Sequence, residues 1–193
     1  MSDVTAITQL ILHERQGRDR GWWDQMRAAF RPDSTVRLSW FTGSGAEFVQ
    51  RSEAMSARGD LSVHRMAPPV VTVRGDRAHA EASASTELQI DFEGVAAHLI
   101  SFTRINYRLS KEDGEWGVVS LDAIYERDTL SPALPGASLT VDPSDVAGFR
   151  PSYALLALCL ERRGYPIGTD LLGDDRPEAV AAFYASVHTW LDA

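Results

Sequence analysis

Apolar and polar residues alternate along this chain with two different periods, and the change of period divides it. Over residues 4–16, Val4, Ile7, Leu10 and Ile11 recur at helical spacing, with Gln9, Glu14 and Arg15 on the other side. Gly17 weakens that helix. A second is expected over 19–30, carrying the bulky stripe Trp22, Trp23, Met26, Ala29 and Phe30 and stopped by Pro32. Val36, Leu38 and Trp40 then alternate with Arg37 and Ser39, the pattern of a half-buried strand over 35–41. Gly43-Ser44-Gly45 turns the chain into a third helix over 46–57, closed by Gly59.

Beyond that point the period is two. Strands are expected over 70–74, 77–90, 95–109 and 116–125, joined at Gly75-Asp76, Phe92-Glu93-Gly94 and Glu112-Asp113-Gly114. The last three are long against a typical strand of ~5–6 residues. Twist accumulates along such strands, so their sheet curls, and a curled sheet with helices against it encloses a pocket of the kind small molecules occupy. The expected fold is α+β: a cone-shaped curled antiparallel sheet packed on three N-terminal helices. After Asp128 the composition shifts to Pro, Gly and Asp, and two helices follow over 152–163 and 177–191. The expected division is a domain over 1–130, then a linker plus two-helix C-terminal extension over 131–193. The apolar faces of those helices need a cover, so an oligomerisation or lid element is expected.

Composition narrows the function classes. The chain has 193 residues, 44% hydrophobic and 24% charged, with a formal net charge of −8. That charge disfavours nucleic acid and anionic membrane surfaces. No basic stretch followed by an apolar run opens the chain, and no segment reaches the ~20 apolar residues of a bilayer span, so a cytoplasmic location is expected. Cys159 is the lone cysteine, inside the apolar run 155–160, which excludes an intramolecular disulfide and thiolate-clustered metal. The five histidines show no metal-ligand spacing, and Gly43-Ser44-Gly45 lacks the frame of a phosphate loop. No cofactor or metal is expected.

Several phrases carry a resemblance. They are Arg18-Asp19-Arg20-Gly21-Trp22-Trp23 followed by Phe30-Arg31-Pro32-Asp33, then His64 ahead of the hairpin around Gly75-Asp76-Arg77-Ala78, and finally Asp113-Gly114-Glu115-Trp116. In this order and spacing, over residues 4–128, the chain resembles the SnoaL-like, or nuclear-transport-factor-2-like, superfamily. The tail resembles an extension on bacterial members. The superfamily spans dehydratases, dehydrochlorinases, polyketide cyclases, ketosteroid isomerases, epoxide hydrolases and binding modules, so fold alone gives analogy.

The resemblance also places chemistry. In the scytalone dehydratase and dehydrochlorinase branches an aspartate leaving the first helix orients a histidine base, and Asp19 and His64 stand at matching positions. An imidazole titrates near neutral pH, and a carboxylate on its second nitrogen holds the tautomer and stabilises the imidazolium. The plain alternatives are a helix N-cap for Asp19 and a surface-loop histidine for His64. The dehydratase branch holds its substrate carbonyl with two tyrosines, and the matching places here are Arg18 and Trp40. Its second histidine has no counterpart in Ser83-Ala84-Ser85-Thr86-Glu87-Leu88.

Electrophilic help is expected from Arg104 or His98, which share a strand face with Asn106 if that face is concave. If the opposite parity holds, Val95, Ala97, Leu99, Ile105 and Tyr107 point inward instead. Trp40 is a candidate for the pocket lining, and Tyr125 is placed near the rim as a hydrogen-bond donor. The expected function is a cofactor-independent lyase, a dehydratase-type elimination on a small, largely apolar substrate, with His64 as base and Asp19 as orienter. Alternatives are an isomerase or cyclase in the same pocket, and a non-catalytic binding or assembly module. The expected partners are a small-molecule substrate and further copies of the chain, as a dimer or trimer.

Overall fold

The computed structural model describes residues 1–193. The element order is α1 (Asp3–Arg20), α2 (Trp23–Arg27), β1 (Phe30–Leu38), β2 (Phe41–Ser44), α3 (Gly45–Ala57), β3 (Ser62–Met66), β4 (Val70–Arg74), β5 (Arg77–Phe92), β6 (Val95–Glu112) and β7 (Glu115–Pro132). After these come α4 (Pro143–Val146), a 3₁₀ turn at Pro151–Tyr153, α5 (Ala154–Arg162), β8 (Leu172–Gly173) and α6 (Pro177–Asp192). The strands form one sheet in the order β2-β1-β7-β6-β5-β3, with β4 also on β5 and β8 also on β7. The long meander β5-β6-β7 is antiparallel, while β1 lies parallel to β7.

Period two decides which face each residue takes. On β5 the inward residues are Ala78, Ala80, Ala82, Ala84, Leu88, Ile90 and Phe92, and on β6 Leu99, Ser101, Thr103, Ile105, Tyr107 and Leu109, all buried. The helix α1 lies over this face beside β4, β3 and β7. Ile7 and Ile11 of α1, Phe48 and Val49 of α3, and Ala78, Ala80, Ala84, Ile105, Tyr107 and Leu109 of the strands make one core cluster. A second cluster fills the other end of the same face, where Leu88, Ile90, Leu99, Ala123 and Tyr125 meet Tyr153 and Leu156 to Leu160. Five of the second cluster's fourteen buried residues come from α5, so this helix of the C-terminal segment completes the core. The other helix, α6, lies on the outer face, where the Trp190 carbonyl accepts from Arg77 at 2.8 Å and Arg108 donates to Ser186.

Three expectations change. The first helix does not end near Gly17 but runs on to Arg20, capped by Gly21 at φ 71°, and the second shrinks to five residues. The cause is a close approach. A Cβ on Gly17 would stand 2.9 Å from the Met26 backbone nitrogen, so the bare glycine lets α2 fold back onto α1. The strand expected over 35–41 starts earlier, at Phe30, and turns before Phe41 into a short hairpin. The residues around His64 form strand β3, paired with β5 so that His64 faces Thr86, rather than a loop.

Candidate functional site

The two core clusters meet at a cavity of about 70 Å³ on the concave face. Its walls include Arg15 and Arg18 of α1, Trp40 between β1 and β2, Met55 of α3, His64 of β3, Ser101 and Thr103 of β6, Tyr125 of β7, and Leu156 and Leu160 of α5. Eleven of its nineteen lining residues are hydrophobic, so its few polar groups act where water screens little.

Asp19 sits in the last turn of α1, reached only because the helix runs past Gly17. From there its Oδ1 lies 2.6 Å from His64 Nδ1, and its Oδ2 accepts the His64 backbone N–H at 2.8 Å. The carboxylate therefore grips both the ring and the strand carrying it. The other ring nitrogen, Nε2, is 3.5 Å from Arg15 Nη1. A guanidinium donates and never accepts, so Nε2 is the bare nitrogen and Nδ1 carries the hydrogen. Burial lowers the His64 pKa from its usual 6.5; the Asp19 hydrogen bond pushes the other way, while Arg15 and Arg18 reinforce the lowering. Burial alone would raise the Asp19 pKa, but the hydrogen bonds and charge of His64 overcome it and hold the carboxyl below 3.8. At neutral pH the pair is a carboxylate beside a neutral imidazole whose Nε2 is unprotonated and faces Arg15.

Part of the polar side of α1 is not solvated, although Gln9, His13, Gln16 and Arg20 are exposed. Glu14 is fully buried, Arg15 and Arg18 are each 5% exposed, and Arg15 pairs with Glu14, its Nε donating to Oε2 at 2.5 Å. Tyr107 also donates to Glu14, at 3.3 Å. Glu14 and Arg15, expected on the side opposite the apolar stripe, are thus enclosed by the cone, while Gln16 and Arg20 stay exposed. Neither Arg15 nor Glu14 was singled out from the sequence, where they read as an ordinary polar stripe. A signal did exist: five ionisable residues (Glu14, Arg15, Arg18, Asp19 and Arg20) and a glycine crowd the last two turns of an otherwise amphipathic helix.

The parity of β6 is settled against three of the expected contacts. Arg104 lies on the outer face, donating to Asp174 at 2.6 Å and to Glu126 at 3.3 Å. Asn106 is buried on that same face against His79, at 2.8 Å, and His98 is exposed. None of these three lines the cavity, so their expected substrate contacts are corrected: the inward β6 residues are Ser101, Thr103 and Ile105. Trp40 and Tyr125 do line it. Trp40 packs with Phe48 at 5.8 Å and Tyr165 at 6.0 Å between ring centroids. The Tyr125 hydroxyl accepts the Ser39 N–H at 2.7 Å, which fixes the chain next to Trp40. Cys159 is buried beside Asp128, and burial raises its pKa to about 11, which suits a packing role. No three His, Cys, Asp or Glu side chains converge as metal ligands would, and no helix is long and apolar enough to cross a membrane.

Comparison with known proteins agrees with this fold. A model described as the SnoaL-like domain matches residues 1–122. An uncharacterised protein of Emericella nidulans is 24% identical over 190 residues, covering 91% of this chain and 80% of its own length. A hexachlorocyclohexane dehydrochlorinase of type 2 superposes with a TM-score of 0.59 at 14% identity, over 71% of this chain and 94% of its own. A protein of Novosphingobium aromaticivorans, provisionally described as a scytalone dehydratase, superposes at 0.54 with 15% identity, over 73% and 97%. At these identities the structural likeness is one of fold, the curled sheet on helices of nuclear-transport-factor-2-like proteins.

Proposed function

The chain belongs to the SnoaL-like domain family, and from that premise we propose that it is a cofactor-independent lyase acting on a small, largely apolar organic substrate. His64 Nε2 removes a proton from a carbon next to a carbonyl, and the electron pair expels a leaving group from the neighbouring carbon. In a dehydration the leaving group is hydroxide, which departs as water once it takes up a proton. Asp19 holds the Nδ1–H tautomer and stabilises the imidazolium as it forms. The observation that carries the reading is the double grip of Asp19 on His64, at 2.6 and 2.8 Å, beside an apolar cavity. A histidine serving only as packing needs one hydrogen bond; here the ring, the strand and the tautomer are all held by one ionised group. A dehydrochlorinase and a provisionally described dehydratase share the fold, which favours elimination among the chemistries the family runs.

The test is proton exchange followed by ¹H NMR in D₂O, with a panel of small 3-hydroxy ketones and 3-halo ketones. The wild type should exchange or eliminate the proton next to the carbonyl, and His64→Gln should lose about 10²–10⁴-fold of that rate. Release of water or halide marks a lyase, whereas return of the proton to another carbon marks an isomerase. An equal rate in His64→Gln would refute the base.

A further inference from the structure

One cation in the cavity makes no direct ion pair, although the Asp19 and Glu14 carboxylates nearby offset its charge. Arg15 is paired with Glu14, and both Asp19 oxygens are taken by His64. Arg18 remains, 5% exposed and lining the cavity, and the one hydrogen bond its guanidinium makes is to the Met55 thioether at 3.2 Å. A thioether is a weak acceptor, and a guanidinium has five N–H donors to satisfy. Burying a cation without an anion or strong acceptors costs several kcal/mol. Burial and the nearby Arg15 pull its pKa down to about 10, so it still carries its charge at neutral pH.

A second group points the same way. Ser101 Oγ, on the sheet wall of the cavity, has no hydrogen-bond partner and its residue is 1% exposed. Two polar groups inside one apolar cavity are therefore left for an occupant to satisfy, one of them a cation.

We infer that the cavity takes a small organic carboxylate with an apolar body, its carboxylate paired with Arg18 in place of the Met55 sulfur and with Ser101 Oγ available to a second polar atom of the ligand. This deepens the lyase reading by assigning its substrate to the carboxylic acids, and it rests on that reading only for the word substrate. A guanidinium pairs with a carboxylate through two parallel hydrogen bonds, which also fixes the ligand's orientation. Met55 suits the exchange because its unbranched, flexible side chain gives way at low cost. The cavity's size sets the scale of the guest, since at about 70 Å³ it admits only a few heavy atoms before Met55, Leu156 or Leu160 must shift.

The test compares acids with their uncharged amides by calorimetry: acetate, isovalerate and benzoate against acetamide, isovaleramide and benzamide. In the wild type at least one acid should bind about tenfold tighter than its amide, a difference of about 1.4 kcal/mol. Arg18→Met should erase that preference by weakening the acid while leaving the amide unchanged, and Arg18→Lys should keep part of it. Circular dichroism of each variant checks the fold, and Arg18→Lys retains the charge if Arg18→Met does not fold. If no acid in the series outbinds its amide in the wild type, or if Arg18→Met retains the preference, the inference is wrong. The same titration on His64→Gln separates the two proposals. Retained acid preference beside unaltered proton exchange sinks only the lyase reading, and lost turnover without any acid preference sinks only this one.

Discussion

Replacing Asp19 by Asn tests the site most sharply, because the structure leaves the amide no satisfactory pose. The carboxylate accepts from the His64 ring at one oxygen and from the His64 backbone at the other. An amide has one oxygen and one NH₂. With its oxygen toward the backbone N–H, the NH₂ faces Nδ1, and the ring must adopt the Nε2–H tautomer. That tautomer is no base toward the cavity, and its N–H faces the Arg15 guanidinium 3.5 Å away. With its oxygen toward Nδ1–H, the NH₂ opposes a part-buried backbone N–H, and no anion stabilises the imidazolium. Either pose removes a charge-assisted hydrogen bond, worth ~1.5–3 kcal/mol, and leaves a donor without an acceptor. The expected loss of proton-exchange rate is about 10²–10⁴-fold, with unfolding stability reduced by ~1–3 kcal/mol. Rates from NMR exchange and stability from urea titration are read on the same preparation. The reasoning is refuted if Asp19→Asn exchanges protons within about threefold of wild type, since no tautomer or charge argument then holds.

Three further outcomes follow from the structure. Because the folded His64 pKa is lowered, kcat/KM should rise with pH along a base limb whose midpoint lies below the usual 6.5; a limb centred above 6.5 would contradict it. Stability follows the same sign: the unfolded chain takes up a proton at His64 first, so stability falls as pH drops from about 6.5 toward the folded pKa, and Asp19 adds a loss below 3.8. Gly17→Ala should destabilise despite alanine's ~1 kcal/mol helix advantage, because its Cβ meets Met26 and Trp22 backbone atoms at 2.9 and 3.0 Å. Overpacking against backbone costs ~1–3 kcal/mol, so denaturant titration should show a net loss, and a stabilised variant would contradict the close approach.

How legible the site was in the chain depends on how local its determinants are. The meander was readable because Gly75, Gly94 and Gly114 occupy turn positions with φ of 56°, 83° and 85°, each a local signal between alternating strands. Strand β3 was not, because Ser62-Val63-His64-Arg65-Met66 is short and mostly polar, and only its pairing with Ser85 to Leu88 makes it a strand. The parity of β6 is open in the sequence for a related reason. Its inward face mixes Ser101 and Thr103 with Leu99 and Ile105, while its outward face carries Ile100 and Phe102, so hydrophobicity does not separate the two. Arg104 and Asn106 are polar yet partly or wholly covered, because the C-terminal segment supplies Asp174 and lays α6 over that face. The proximity of Asp19 and His64 came from resemblance. The buried arginines beside them did not, since a helical wheel cannot tell a solvated stripe from one enclosed by a cone.

The account turns on His64 being a neutral base with its free lone pair at Nε2. Long-range ¹H–¹⁵N NMR of imidazole-labelled protein at pH 7 measures this directly. The predicted spectrum has a protonated Nδ1, a bare Nε2 and a titration midpoint below 6.5, with the tautomer changed in Asp19→Asn. An imidazolium at pH 7, or an Nε2–H tautomer in the wild type, would contradict the account at its centre.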